Sequence, residues 1–263
     1  MSEGHFEAAA RHYALAAADE PNNAARWRDL ARAGLLAERP IHARRAFRRL
    51  ARLRPNDPRP VVEIGFTQEL ERDYDQALAT YLEAVVVDPE DAYPYRVLGT
   101  RLLRWGKADE AIEPLARSVE IDPSHPETWK ALGLAHHAAG QADASESAFR
   151  AGLEHHPSDL GLNLSLAALL INAGRFEPAL EIYDRLIEVL PRFAAAHVGR
   201  SLILHELGRE NEAESALIRA VAVADDPARY ERRLQAYRAL RRGGASESET
   251  NTPNLDPNPN PTE

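Results

Sequence analysis

The chain has 263 residues, 44% of them hydrophobic and only 6% aromatic, with a net charge of −9, a composition that fits tightly packed helices and excludes disorder throughout. It contains no cysteine, which removes disulfide frameworks, thiolate zinc sites and thiol nucleophiles together. No apolar run reaches the roughly 20 residues a membrane-spanning helix needs, and the first residues lack a basic stretch followed by an apolar core, so the expected compartment is the cytoplasm.

One period organises the sequence. Pro21, Pro55, Pro89, Pro123, Pro157 and Pro191 stand 34 residues apart, and Gly106, Gly140, Gly174 and Gly208 form a second ladder with the same spacing. In chain order, residues 1–23 carry Gly4, Phe6, Ala9, Tyr13, Ala16 and Pro21, the pattern of the second half of a unit, and predict a leading half-repeat or capping helix. Six units then begin at residues 24, 58, 92, 126, 160 and 194, and together span 24–227.

Within each unit the apolar residues step by three and four, which predicts two amphipathic helices. The fourth position holds Trp27, Val61, Tyr95, Trp129, Asn163 and His197. The eighth is small in every unit (Ala31, Gly65, Gly99, Gly133, Ala167, Ser201), and the twenty-fourth is large: Phe47, Tyr81, Leu115, Phe149, Tyr183 and Leu217. Small residues let two helix axes approach while large ones fill the flanks. Trp129 is expected as a core anchor, and Ser124 with Glu127 has the spacing of a capping box.

Three units depart from the pattern. Pro114 falls inside the second helix of the third and predicts a kink or a late start. Asn163 occupies a bulky position in the fifth, and His197 and Arg200 do so in the sixth, leaving its first helix the weakest. Residues 228–242, with Tyr230, Leu234 and Tyr237 among six arginines, predict a capping helix, and 243–263 a disordered acidic tail rich in Pro and Asn. Basic blocks at 24–57 and 228–242 flank an acidic body.

A bulky residue, Leu-Gly, alanine, an aromatic and proline within 34 residues resemble the signature of the tetratricopeptide-repeat family. That resemblance implies an all-α, right-handed superhelical solenoid of antiparallel helix pairs, with the first helix of each pair lining a concave groove. The groove-facing positions (second, fifth, ninth and twelfth) then give Arg28 and Arg32, Arg59 and Phe66, Tyr93 and Arg96, and Lys130, Leu134 and His137 as partner-binding candidates. Val198, Leu202 and His205 occupy the same positions in the sixth unit. The lysine and asparagine clamp by which some family members hold chaperone tails is not reproduced, since Arg28, Arg32, Glu63, Tyr93 and Val97 stand in its place.

Arg44, Arg45, Arg48, Arg49 and Arg52 form a basic patch on the second helix of the first unit, on what the resemblance makes the convex side. The overall negative charge and the lack of interleaved aromatics weigh against nucleic acid there. Two adjacent histidine pairs, His136-His137 and His155-His156, point about 100° apart on a helix and do not suit a shared ion. With no phosphate loop, HExxH motif, nucleophile elbow or dinucleotide fingerprint, the sequence predicts no catalytic residue, cofactor or metal. The expected function is a scaffold for protein–protein interaction that takes a partner segment in its groove. The alternative is the regulatory or substrate-recruiting repeat region of a larger enzyme such as a protein glycosyltransferase or sulfotransferase.

Overall fold

The computed structural model describes residues 3–243, with side chains from Ala8 to Arg242. The side chain of Phe6 lies outside the described residues, and so does the tail expected over 243–263 from residue 244 on, whereas Gly243 is the last residue of α14. Fourteen α-helices and no strand occur among those described. After α1 (Glu3–Asp19) come α2 (Ala24–Leu36), α3 (Pro40–Leu53), α4 (Arg59–Leu70), α5 (Tyr74–Val87), α6 (Ala92–Arg104), α7 (Ala108–Ile121) and α8 (Pro126–Ala138). They form one compact unit, residues 1–141. The second, from residue 142 on, holds α9 (Ala142–His155), α10 (Leu160–Asn172), α11 (Phe176–Val189), α12 (Ala194–Glu206), α13 (Glu210–Val223) and α14 (Pro227–Gly243). No described helix is long and apolar enough to cross a membrane.

The local chemistry of the turns explains where the helices start and stop. Asn23, Asp91 and Asp159 precede first helices and accept hydrogen bonds from the backbone N–H of Ala25, Tyr93 and Leu162. The capping box expected at Ser124 does not form. The helix begins one residue later than that motif requires, His125 sits at its N-cap, and the Ser124 N–H instead donates to Asp122 Oδ1 at 3.0 Å.

First helices end in a left-handed residue. Gly106, Gly140, Gly174 and Gly208 have φ between 69° and 77°, while Glu38 (54°) and Arg72 (62°) hold the same place in the first two repeats. The following N–H reaches back five residues, as Lys107 does to Leu102 O at 2.9 Å and Arg39 to Gly34 O at 2.8 Å. The ladder of glycines therefore marks a backbone requirement that Glu38 and Arg72 meet under strain.

The fourth position of a repeat carries out a task that its apolar reading conceals. Trp27 Nε1 donates to the Pro21 carbonyl, Trp129 Nε1 to that of Pro123 and Asn163 Nδ2 to that of Pro157, each at 3.0 Å. His197 Nε2 lies 3.0 Å from the carbonyl of Pro191, and as that carbonyl only accepts, the ring donates from Nε2. Each side chain ties the first helix to the proline six residues before it. Asn163 and His197 are thus substitutes that keep the N–H, both are buried, and α12 forms in full. Trp129 is half-buried rather than a core anchor, because its indole must reach the loop; fully buried Thr128 lies beside it. Arg200, the other departure in the sixth repeat, bonds Asp184 Oδ1 at 2.6 Å.

Close approach between helices rests on glycine. A Cβ on Gly65 would lie 2.5 Å from Tyr81 Cε1, and one on Gly99 would lie 2.4 Å from Leu115 Cγ. These pairs join the eighth and twenty-fourth positions within one repeat. Tyr183 is different, since its ring meets Gly199 of the following helix, 2.2 Å from where a Cβ would stand. The late start expected at Pro114 does not occur: α7 runs unbroken from Ala108 to Ile121 with Pro114 buried inside it. Packing of the ring offsets the one hydrogen bond that proline forfeits.

Two stability outcomes follow. Asn163→Leu restores the apolar consensus yet removes the donor to Pro157, and it should lower unfolding stability by about 1–2 kcal/mol in chemical denaturation. A gain in stability would show that apolar burial, not the tether, governs this position. Glu38→Gly and Arg72→Gly should each raise stability by about 0.5–1 kcal/mol by relieving the left-handed conformation, read as a shift of the denaturation midpoint at constant slope.

Candidate functional site

In the first unit the first helices α4, α6 and α8 pack side by side, with α3, α5 and α7 on their other side. Asp91 fixes the start of α6 and so places Tyr93 on its first turn. There the Arg59 guanidinium carbon lies 5.6 Å from the Tyr93 ring centroid and that of Arg96 lies 5.5 Å from it, a double cation–aromatic contact. Arg59 also pairs with Asp57 at 3.5 Å and Asp91 at 3.3 Å, while its side chain stays 63% exposed.

A pocket of about 220 Å³ opens beside Tyr93, lined by Val62, Glu63, Phe66, Tyr81, Tyr93, Val97 and Arg101. Arg101 lies over Phe66 at 5.7 Å and pairs with Glu69 at 3.1 Å. Glu69 in turn accepts from the Tyr81 hydroxyl at 2.9 Å. Tyr81, Glu69 and Arg101 thereby form a floor whose charges are already matched, while Tyr93, Arg59 and Arg96 form the rim.

Burial pushes the Glu63 carboxyl above the ordinary carboxylate range, against the pull of Arg32 and Arg101. Burial likewise raises the Tyr93 phenol, and the charge of Glu63 adds to that. Glu63 is thus a partly desolvated anion among cations, and any carboxylate entering the pocket meets its repulsion as well as their attraction.

Of the residues expected from the sequence, Arg59, Phe66, Tyr93 and Arg96 come together at this pocket. Arg28 and Arg32 stand exposed on α2, Arg28 within 3.7 Å of Asp29, and the charge of Arg32 reaches Glu63. Lys130, Leu134 and His137 lie on α8; Leu134 and His137 are exposed and Lys130 is half-buried. Glu63 and Arg101 were missed as site residues because they occupy the sixth and tenth positions. The second position plus one turn gives the sixth, and the sixth plus one turn gives the tenth, so a wider arc of the same periodicity would have found them.

The basic patch on α3 is divided. Arg44 is bonded to Glu71, and Arg49 donates to the Pro21 carbonyl and Asn22 Oδ1 at 3.2 and 3.3 Å. Arg45, Arg48 and Arg52 are exposed. In the second unit, Val198, Leu202 and His205 face α14, with His205 still exposed. With Tyr237 and Leu240 they line a small apolar cavity between α12 and α14. That helix is fastened to α13 by the Tyr237 hydroxyl on Glu210 and by Arg238 and Arg241 on Glu214 at 2.6 and 2.7 Å.

Models of the tetratricopeptide repeat match residues 71–126, 97–159 and 136–197. No protein of curated function matches the chain in sequence. Among solved structures, the C-terminal part of a repeat-containing protein from Cytophaga hutchinsonii aligns with a TM-score of 0.70 at 15% identity, covering 86% of this chain and 93% of that one. MamA aligns at 0.58 and 22% identity over 67% of this chain and 97% of its own. YrrB, described as a repeat protein with an unusual peptide-binding site, aligns at 0.54 and 20% identity over 72% and 97%. At these identities the likeness concerns the fold. The repeat models, with the 34-residue helical period, identify the chain as a member of the tetratricopeptide-repeat family.

Proposed function

We propose that the first unit is a receptor for an extended protein segment that carries a carboxylate next to an aromatic or long apolar side chain. The Tyr93 rim carries this reading. Two guanidinium groups rest on one ring at the mouth of a pocket whose floor charges are already paired, so a ligand carboxylate gains Arg96, and shares Arg59 with its partners Asp57 and Asp91, without breaking the Glu69–Arg101 pair. The apolar side chain enters between Phe66, Val62 and Val97. Arg32 extends the cationic rim toward α2. Lys130 and Leu134 on α8 would meet flanking residues of the same segment. The repeat fold itself is one that binds proteins, and the peptide-binding description of YrrB agrees with this use.

Peptides selected by phage display on the full chain supply the probe. Tyr93→Ala with Arg96→Ala should weaken the binding of an acidic, aromatic peptide at least tenfold, with the helical spectrum unchanged, because desolvated aromatic and arginine residues dominate binding energy. Arg48→Ser, on the opposite side of the unit, should leave affinity within about threefold, since exposed charges contribute little. Selected peptides without acidic residues, or a dispensable Tyr93–Arg96 pair, would overturn the proposal.

Glu63 adds a pH signature. Its carboxyl takes up a proton at a higher pH than the ligand's ordinary carboxylates do. As the pH falls from neutrality toward the Glu63 pKa, the repulsion disappears while the ligand remains ionised, so affinity should rise. Glu63→Gln should bind more tightly than wild type at neutral pH, by about three- to tenfold, and should show no such rise when titrated by fluorescence polarisation.

A further inference from the structure

The second helices of the first unit present a surface that the proposed receptor does not use. Each buries one face, as Ala43 and Phe47, Ala77 and Tyr81, and Ala111 and Leu115 show, and each turns the opposite face to solvent. Because the period is 34 residues, equivalent outward positions stand at the same level on neighbouring helices. On α3 they are Arg45, Arg48 and Arg52, all exposed. On α5 they are Ala79, Leu82 and Val86, with Leu82 50% and Val86 76% exposed. On α7 the row includes Glu113 and Glu120, both exposed, and Glu120 keeps 64% of its side chain in solvent although Arg117 lies 3.3 Å away. The layer therefore runs from cationic through apolar to anionic across three adjacent helices.

We infer that this layer is a two-fold interface for a second copy of the chain, with α5 against its counterpart and α3 against α7 of the other copy. A surface of this kind complements itself under one symmetry operation. A two-fold axis lying between the facing layers and parallel to α5 sets Leu82 and Val86 on their own counterparts. The same axis carries α3 of one copy across to α7 of the other, which brings Arg45 level with Glu113 and Arg52 level with Glu120, twice over. The other in-plane axis, perpendicular to the helices, would stack α3 on α3 and α7 on α7 and set like charges together. The charge order therefore selects one arrangement. The exposed leucine and valine supply apolar burial at the centre, and the ion pairs form the rim. A partner of uniform charge would match only one side of such a layer. Asp75 and Glu83, also exposed on α5, flank the apolar stripe and make the centre narrow, which points to a dimer that salt weakens.

Sedimentation equilibrium of the full chain tests this directly. Wild type should dimerise reversibly, and more weakly as salt is raised. Arg45→Glu with Arg52→Glu should weaken dimerisation at least tenfold, and so should Glu113→Arg with Glu120→Arg, both variants keeping the wild-type helical spectrum because all four positions are exposed. An equimolar mixture of the two variants should restore the dimer, since an all-acidic pair of edges then meets an all-basic one. Leu82→Asp should weaken it without rescue. A wild type that stays monomeric at every concentration would overturn the inference. So would a dimer that survives both charge reversals, or variants that fail to associate when mixed.

Discussion

At every boundary between repeats the chain leaves a helix, passes a proline and starts another helix. In four of the six repeats an N–H from the fourth position closes on the carbonyl of that proline, from an indole twice, an amide once and an imidazole once. One hydrogen bond of this kind contributes only about 1 kcal/mol. Its weight lies in what it positions. In those four repeats it fixes the first turn of the first helix relative to the end of the preceding second helix, so the spacing between successive pairs is set at the loop. The glycine contacts then set the spacing within a pair, with Tyr81 on Gly65 and Leu115 on Gly99. Loop tether and helix contact together give a repeat little freedom to slide, which is what lets residues 34 apart stand at one level.

Much of this could be read from the sequence because the period makes every position a comparison among six. The proline and glycine ladders, the small eighth position and the large twenty-fourth all mark features that recur, and the helices follow them to within a residue or two. The failures are instructive for the same reason. Asn163 and His197 looked like faults because the column was read for size, whereas its shared property is a side-chain N–H that Trp also possesses. Pro114 looked like a breaker because its cost is local and evident while the packing that offsets it is not. Gly199 attracted no attention at the sixth position, and only the tilt of the Tyr183 ring toward the next helix gives it a purpose. Non-glycine residues at the left-handed turn, Glu38 and Arg72, show that a backbone constraint persists where its usual residue is missing.

The site was less visible than the fold. Position within the repeat gave Arg59, Phe66, Tyr93 and Arg96, but it could not say that two of the arginines would lie on one ring. Nor could it say that Arg101 would be committed to Glu69. Charge pairing across repeats depends on side-chain reach, which the period does not encode. The same holds for α3, where five arginines of one helix divide between internal bonds, made by Arg44 and Arg49, and solvent. Counting basic residues overstated that patch as a single feature. Arginine here serves as tether, as ring partner and as surface charge, and burial and the nearest carboxylate or ring decide which.

The receptor face and the self-complementary face lie on opposite layers of the same helix pairs, and this arrangement bears on how the two would work together. In the dimer inferred above, the second-helix layers meet at the centre and the two Tyr93 rims face away from each other. Such a pair does not close both sites on one short segment. It presents two sites to two separate segments, or to a partner long enough to reach around, so that avidity rather than a deeper groove would raise affinity. Coupling between the faces would require a repeat with two packings, since sites communicate only through an element that has two states. The contacts of Gly65 with Tyr81 and of Gly99 with Leu115 lie between the two layers and are too tight for a Cβ at either glycine, which favours the one packing. Binding and association should therefore be energetically independent, with assembly set by concentration and salt and recognition by the sequence of the segment.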